Sequence, residues 1–127
     1  MNQDDFIKAV KLVVHDAAIN GVVKTLVRPP GRRPHAKLKR LSDWFNTLSD
    51  KDKKQVQDII RQSVHAAVFN SLCVLDGVAA IEPTPEKGEL RLDFQKDGKI
   101  ARLNGSGLEL LHDLYQAAVQ GEVFGEE

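Results

Sequence analysis

Apolar residues recur along this chain in helical spacings, interrupted once by a strict alternation. Phe6, Val10, Val13 and Ala17 follow at intervals of four, three and four, with Ile7, Val14 and Ala18 widening the stripe. That spacing predicts a helix over residues 3–28. Asp4 and Asp5 stand in its first turn, where the helix dipole favours negative charge. Gly21 weakens its middle, because glycine costs roughly 1 kcal/mol inside a helix. Pro29-Pro30 ends it, since neither residue can donate to the ladder.

Pro34, suited to a first helical position, opens a second helix over residues 34–48, with Leu38, Leu41, Trp44, Phe45 and Leu48 as its apolar edge. Ser49 and Asp52 resemble a capping box and open a third helix, residues 50–81. Its second half, residues 64–81, is apolar nearly all round, interrupted only by His65, Asn70, Ser71, Asp76 and Gly77. A helix without a polar face is buried in a bundle or crosses a membrane. These 18 residues are short for a span, and Asp76, Asn70 and His65 would be costly in lipid. The stretch is read as a buried central helix, ended by Pro83 and Pro85.

The period then changes. Leu90, Leu92 and Phe94 alternate with Arg91, Asp93 and Gln95, a half-buried strand. Asp97-Gly98 is what a type I′ turn requires, because both central residues take positive φ. Pairing outward from it sets Phe94 opposite Ala101, Leu92 opposite Leu103, and Asp93 opposite Arg102 as an ion pair, within a hairpin at about residues 89–103. The Leu90, Leu92, Phe94 and Leu103 face needs cover, since an isolated hairpin is marginal in water. Ser106 and Glu109 then resemble a capping box for a last helix, residues 107–120, stopped by Gly121 and followed by a frayed tail. The fold expected is mainly α: a helical bundle around one buried central helix, with a single β-hairpin before the last helix, all within one domain of 127 residues.

Charge changes this picture little. Lys plus Arg balances Asp plus Glu at 18 each, so no global field draws in nucleic acid or anionic lipid. The N-terminus opens with acids where a secretory signal would carry bases. Cys73 is the single cysteine and lies in the apolar helix, which fits a cytoplasmic, reducing setting and a buried, inert thiol.

Candidate chemistry is sparse. Two His-Asp dipeptides, His15-Asp16 and His112-Asp113, fall on helices, a pairing that helical metal-dependent phosphohydrolases use with further ligands. His65 and Asp76 are eleven residues apart, roughly 16 Å along a helix, and cannot hold one ion together. Asp76 must be paired, hydrogen-bonded, protonated or turned into a pocket; an internal ion pair with an Arg or Lys, or capping of a nearby loop's N–H groups, is expected first. Residues 28–40 hold six Lys or Arg and no acid, and Arg32, Arg33 and His35 there are the expected contact site. No aromatic residue interleaves with these bases, so nucleic acid is disfavoured and an acidic protein surface is the better partner. Phosphate loops, CxxC, HExxH and nucleophile elbows are all missing.

The expectation is therefore a non-enzymatic, cytoplasmic protein-interaction module, adaptor- or inhibitor-like, with no metal or cofactor, no membrane contact, and homo-oligomerisation open. The alternative is a small helical hydrolase or ligand-binding bundle with a polar pocket around Asp76 and His15, His65 or His112. A cavity joining Asp76 to a histidine would favour the second; a dry, fully partnered Asp76 would favour the first.

Overall fold

The structure, a computed structural model, describes residues 1–125. Helix α1 (Gln3–Val10), a π-helical segment (Lys11–Asp16) and helix α2 (Ala17–Val27) run on as one rod, because the backbone stays right-handed at both joints. Helix α3 (Ala36–Phe45) and the long α4 (Asp50–Leu75) follow. Strands β1 (Asp93–Lys96) and β2 (Lys99–Arg102) form an antiparallel hairpin, and α5 (Leu111–Phe124) closes the fold. The chain is mainly α, with its hairpin before the last helix. None of the described helices is long and apolar enough to cross a membrane.

Three helices meet at the core. Ile7 and Val10 from α1, Leu72 from α4, and Leu111, Tyr115 and Val119 from α5 form its buried cluster. Each such side chain, fully buried, contributes about 1.5–3 kcal/mol through removal of apolar area from water. As the central helix, α4 packs against α2, the π segment and α5. It is buried on one side only: His65, Leu72 and Cys73 face in, while Ala66, Ala67, Asn70 and Ser71 face water. Apolar character all round did not require burial all round, because its outer positions hold small side chains.

The π segment corrects the first helix's apolar stripe. A π-turn takes in an extra residue, so the face shifts where it occurs. His15 and Ile19 turn inward, and Val13, expected inside, is 64% exposed. Ala17 and Ala18 are exposed as well.

Helix ends differ from expectation for local reasons. α4 stops at Leu75, not at residue 81, through a Schellman motif: Gly77 takes φ +77°, Val78 N–H donates to Cys73 C=O, and Gly77 N–H to Val74 C=O. Pro83 and Pro85 are not needed to end it. Pro34 does not start α3; the His35 imidazole caps it, Nδ1 accepting from Lys37 N–H. The Ser106–Glu109 box does not form. Gly105 and Gly107 sit at φ +112° and +83°, and the Gln3 amide donates to Leu103 and Glu109 C=O, holding the loop open until Leu110. Gly121 lies within α5, which ends at Gly125 with φ +78°. Glu122, Val123 and Phe124, expected to fray, are helical.

The hairpin keeps the expected register, Asp93 opposite Arg102 and Phe94 opposite Ala101, around Asp97 and Gly98 at φ 53° and 74°. Both values are those of a type I′ turn. Two details differ. Asp93 pairs with Arg91 and Arg102 with Glu89, so the cross-strand ion pair is absent. Leu90 is exposed, because the ladder begins only at Asp93; Leu92 and Leu103 carry the packing instead.

Candidate functional site

Asp76 caps a helix that is distant in sequence. Its carboxylate accepts from Leu111 N–H (2.9 Å), His112 N–H (2.8 Å) and the His112 imidazole at Nδ1 (2.6 Å). The first amides of a helix lack internal partners and carry partial positive charge, which a buried carboxylate satisfies well. This side chain is 1% exposed and fully partnered. Beside it, Asn104 donates to Leu75 and Leu90 C=O and accepts from Leu92 N–H, tying the end of α4 to the hairpin.

A second polar knot lies at the other end of α5. His15 is fully buried, with Nε2 3.0 Å from Glu122 and Nδ1 2.7 Å from the Tyr115 hydroxyl. A carboxylate only accepts, so Nε2 carries the proton; in the neutral ring Nδ1 then accepts from the Tyr115 O–H. Lys11 Nζ lies 2.9 Å from Asp16 and 3.3 Å from Glu122. Burial would raise the Glu122 carboxyl, but hydrogen bonds from His15 and Lys11 and the Lys11 charge hold it below its ordinary range. The Asp16 hydrogen bond, together with Glu122 and against the penalty of burial, raises the Lys11 ammonium. Tyr115 is pushed up to about 12, first by burial and then by the charges of Glu122 and Asp16.

Ligand atoms of His15, Asp16 and Glu122 all lie within 4.8 Å of one another. An ion entering there would have to displace Lys11 and take the proton from His15 Nε2. Tyr115 would then lose its acceptor. These residues form a satisfied ion network with its cation built in.

Between the two knots runs a line of rings. Tyr115 meets His15 edge-on at 5.7 Å and stacks on His65 at 5.6 Å; His65 stacks on Phe69 at 5.5 Å, and Phe69 meets His112 edge-on at 5.3 Å. The His65 Nε2–H donates to the Gln116 side-chain oxygen. The four residues of the expected pocket, Asp76, His15, His65 and His112, are thus linked by hydrogen bonds and ring contacts along α5. A cavity of about 230 Å³ does adjoin Asp76, lined by the end of α4, residues 79–82 and 87–90, Asn104 and Gly105, and by none of those histidines. Cys73 is buried, and burial, aided by the charges of Asp76 and Asp113, pushes its thiol up, away from nucleophilic chemistry.

The basic segment presents a different surface. Arg32 and Arg33 are exposed in the loop before α3, while His35 is occupied as its cap. α3 is held by Ser42 and Asn46, whose side chains donate to Val27 C=O at the end of α2. Leu38, Ser42 and Phe45 face inward, leaving Lys37, Arg40, Leu41 and Trp44 on one outer face at spacings of three and four. Leu41 is 43% and Trp44 51% exposed. Among the described residues, Arg32, Arg33, Lys37 and Arg40 make no ion pair. The same spacing is visible in the sequence, where Leu41 and Trp44 count toward the apolar edge of this helix, with partial exposure at an interface open for Trp44. Gln3, Asn104, Tyr115 and Glu122 carried no local signal of their roles.

The chain is thus a mainly α fold in which, among the described residues, every buried side-chain polar atom has a hydrogen-bond partner, while α3 and the loop before it present exposed cations. It matches no protein-family model, no curated protein and no solved structure.

Proposed function

We propose that this chain is a protein-binding module that docks an acidic partner surface on α3 and the loop before it. One observation carries the reading: Trp44 and Leu41 stand exposed on the same face as Lys37 and Arg40, with Arg32 and Arg33 exposed in the loop before α3, and none of these cations has an ion-pair partner among the described residues. Exposed Trp and Arg are the residue types that dominate interface energies when covered. Unpaired cations around them speed encounter with acids, and the effect weakens as salt rises. Pro29, Pro30 and Pro34 stiffen the loop, so little conformational entropy is lost on binding. Commitment of the Asp76 carboxylate to α5 supports this reading over a hydrolase or ligand pocket centred there. The buried free thiol of Cys73 suits a cytoplasmic setting.

Trp44 is the sole tryptophan, so its fluorescence reports this face directly. A partner recovered from native extract and purified should shift Trp44 emission to the blue on titration, less at high salt. Arg32→Glu with Arg33→Glu should fold normally and weaken the complex about tenfold or more, from like-charge contact. Binding without an emission change, or undiminished by the charge reversal, would sink the proposal.

A further inference from the structure

The rod of α1, the π segment and α2 has an outer face that no other element covers. Leu12 and Val13 are 65% and 64% exposed, and Val14 and Val22 are 44% and 46%. Ala17, Ala18, Asn20 and Gly21 are exposed between them. From residue 9 to residue 23 this surface carries no exposed charge, because Lys11 and Asp16 are drawn together and toward Glu122. Charge returns only at the ends, with Asp4 and Asp5 exposed at the start and Lys24 and Arg28 exposed at the finish.

We propose that a second copy of the chain docks on this face, its rod antiparallel to the first. A two-fold contact uses the same patch on both copies, so the patch must complement itself. Antiparallel pairing meets that condition at every level of the rod. Centred between Val14 and His15, it sets Asp5 opposite Lys24 and Leu12 opposite Ala17. Leu12 of one copy then lies over the small residue Ala17 of the other, large against small, as helix ridges enter grooves. Lys8 falls opposite Gly21, where a Cβ would meet nothing within 4 Å, leaving room for its stem. Parallel pairing would instead set acids against acids and bases against bases. The uncharged middle also disfavours the acidic partner assigned to α3, so the two surfaces serve different occupants.

Sedimentation equilibrium on the full chain tests this. Wild type should approach twice the 14.1 kDa of one chain across the micromolar range. Val13→Glu should keep its helical circular dichroism and sediment as a monomer, since a carboxylate would be buried against its own copy. Lys24→Glu and Asp5→Lys should each weaken dimerisation at least about tenfold, by like-charge contact at two symmetry-related places. Mixing those two variants should restore wild-type affinity as a heterodimer, because each chain then supplies the charges the other lacks. Asp5 also closes a capping box with Asn2, so circular dichroism must show that Asp5→Lys keeps its helix content. If it does not, Lys24→Glu alone carries the charge arm, with a weakening that shrinks as salt rises. A wild type that stays monomeric, a dimer indifferent to Val13→Glu, or a mixture of folded variants that fails to recover would each overturn the proposal.

Discussion

The chain contains the same dipeptide twice, and the two copies have opposite fates. His15-Asp16 lies in a π segment, with its histidine sealed in the core and its aspartate held by Lys11. His112-Asp113 opens α5, with its histidine bound to Asp76 and its aspartate 68% exposed. His15 serves the C-terminal end of α5 through Glu122, whereas His112 serves the N-terminal end. The role of each histidine follows from its helix geometry and from a carboxylate far away in sequence, and the neighbouring aspartate decides neither. A two-residue motif is therefore no evidence of chemistry until its surroundings are known.

The largest expected effect concerns the His112 end. Asp76→Ala strips the acceptor from two helix-terminal amides and an imidazole at once. Urea denaturation should show a loss of about 3 kcal/mol, from several buried donors left unsatisfied. Asp76→Asn, which keeps the shape and one acceptor oxygen, should cost about half of that. A loss under about 1 kcal/mol for Asp76→Ala would mean that water satisfies α5 instead, and the contrast between the two ends would fail.

Asp76 also marks how far the sequence could be read. That it must be partnered follows from its apolar surroundings, which point to an Arg or Lys or to the amides of a nearby loop; its partners are instead the first amides of a distant helix. Its partners were hidden because Leu111 lies 35 positions away, beyond any periodicity. The hairpin was legible down to its register, since turn chemistry and alternation act over a few residues and agree. Helix ends were legible only where the cap is local. Ser49 opens α4 as its spacing to Asp52 indicates, whereas α5 begins where a remote carboxylate permits. The π segment left no trace in the pattern, since it inverts the burial of Val13 and His15 without changing their chemistry. Of the candidate site, the cations were visible, but the exposure of Trp44 and Leu41 depended on which face of α3 met α2.

An intermediate effect belongs to the His15 end. Tyr115, at about 12 in the folded protein, has an ordinary value near 10, so the folded state holds its proton more tightly. The stability this contributes is fully present below pH about 10 and is lost as pH rises toward 12. Its size is on the order of 2 kcal/mol, and Lys11, also raised, acts in the same direction at a half-buried site where solvent screening weakens its effect. Glu122 works in reverse. Its lowered carboxyl stabilises the fold above the ordinary carboxylate range, and that contribution fades as pH falls through its folded value. Tyr115→Phe should flatten the alkaline leg of a stability-against-pH curve and leave the acid leg in place. If the alkaline leg survives that substitution unchanged, the His15 knot is not its source.

The smallest effect tests whether the two ends are separate. Asp16→Asn weakens one partner of Lys11, and Asp113→Asn removes an exposed charge from the first turn of α5. Each should cost only about 0.3–1 kcal/mol, as expected for half-exposed ion pairs and dipole contacts. His112 and Glu122 stand ten residues apart, roughly 15 Å along α5, and the two aspartates share no partner. Independent sites at that distance add within about 0.3–0.5 kcal/mol. Beside α5 itself, a line of rings runs between them from His15 through Tyr115, His65 and Phe69 to His112. Ring contacts are short-ranged; Asp113 lies 3.3 Å from His112 Nε2 at one end of the line, while Asp16 is held by Lys11 at the other. The double variant should therefore lose the sum of the single losses by chemical denaturation. An excess or shortfall beyond about 0.5 kcal/mol would mean that the ring line couples the ends, and that the two dipeptides act as one unit.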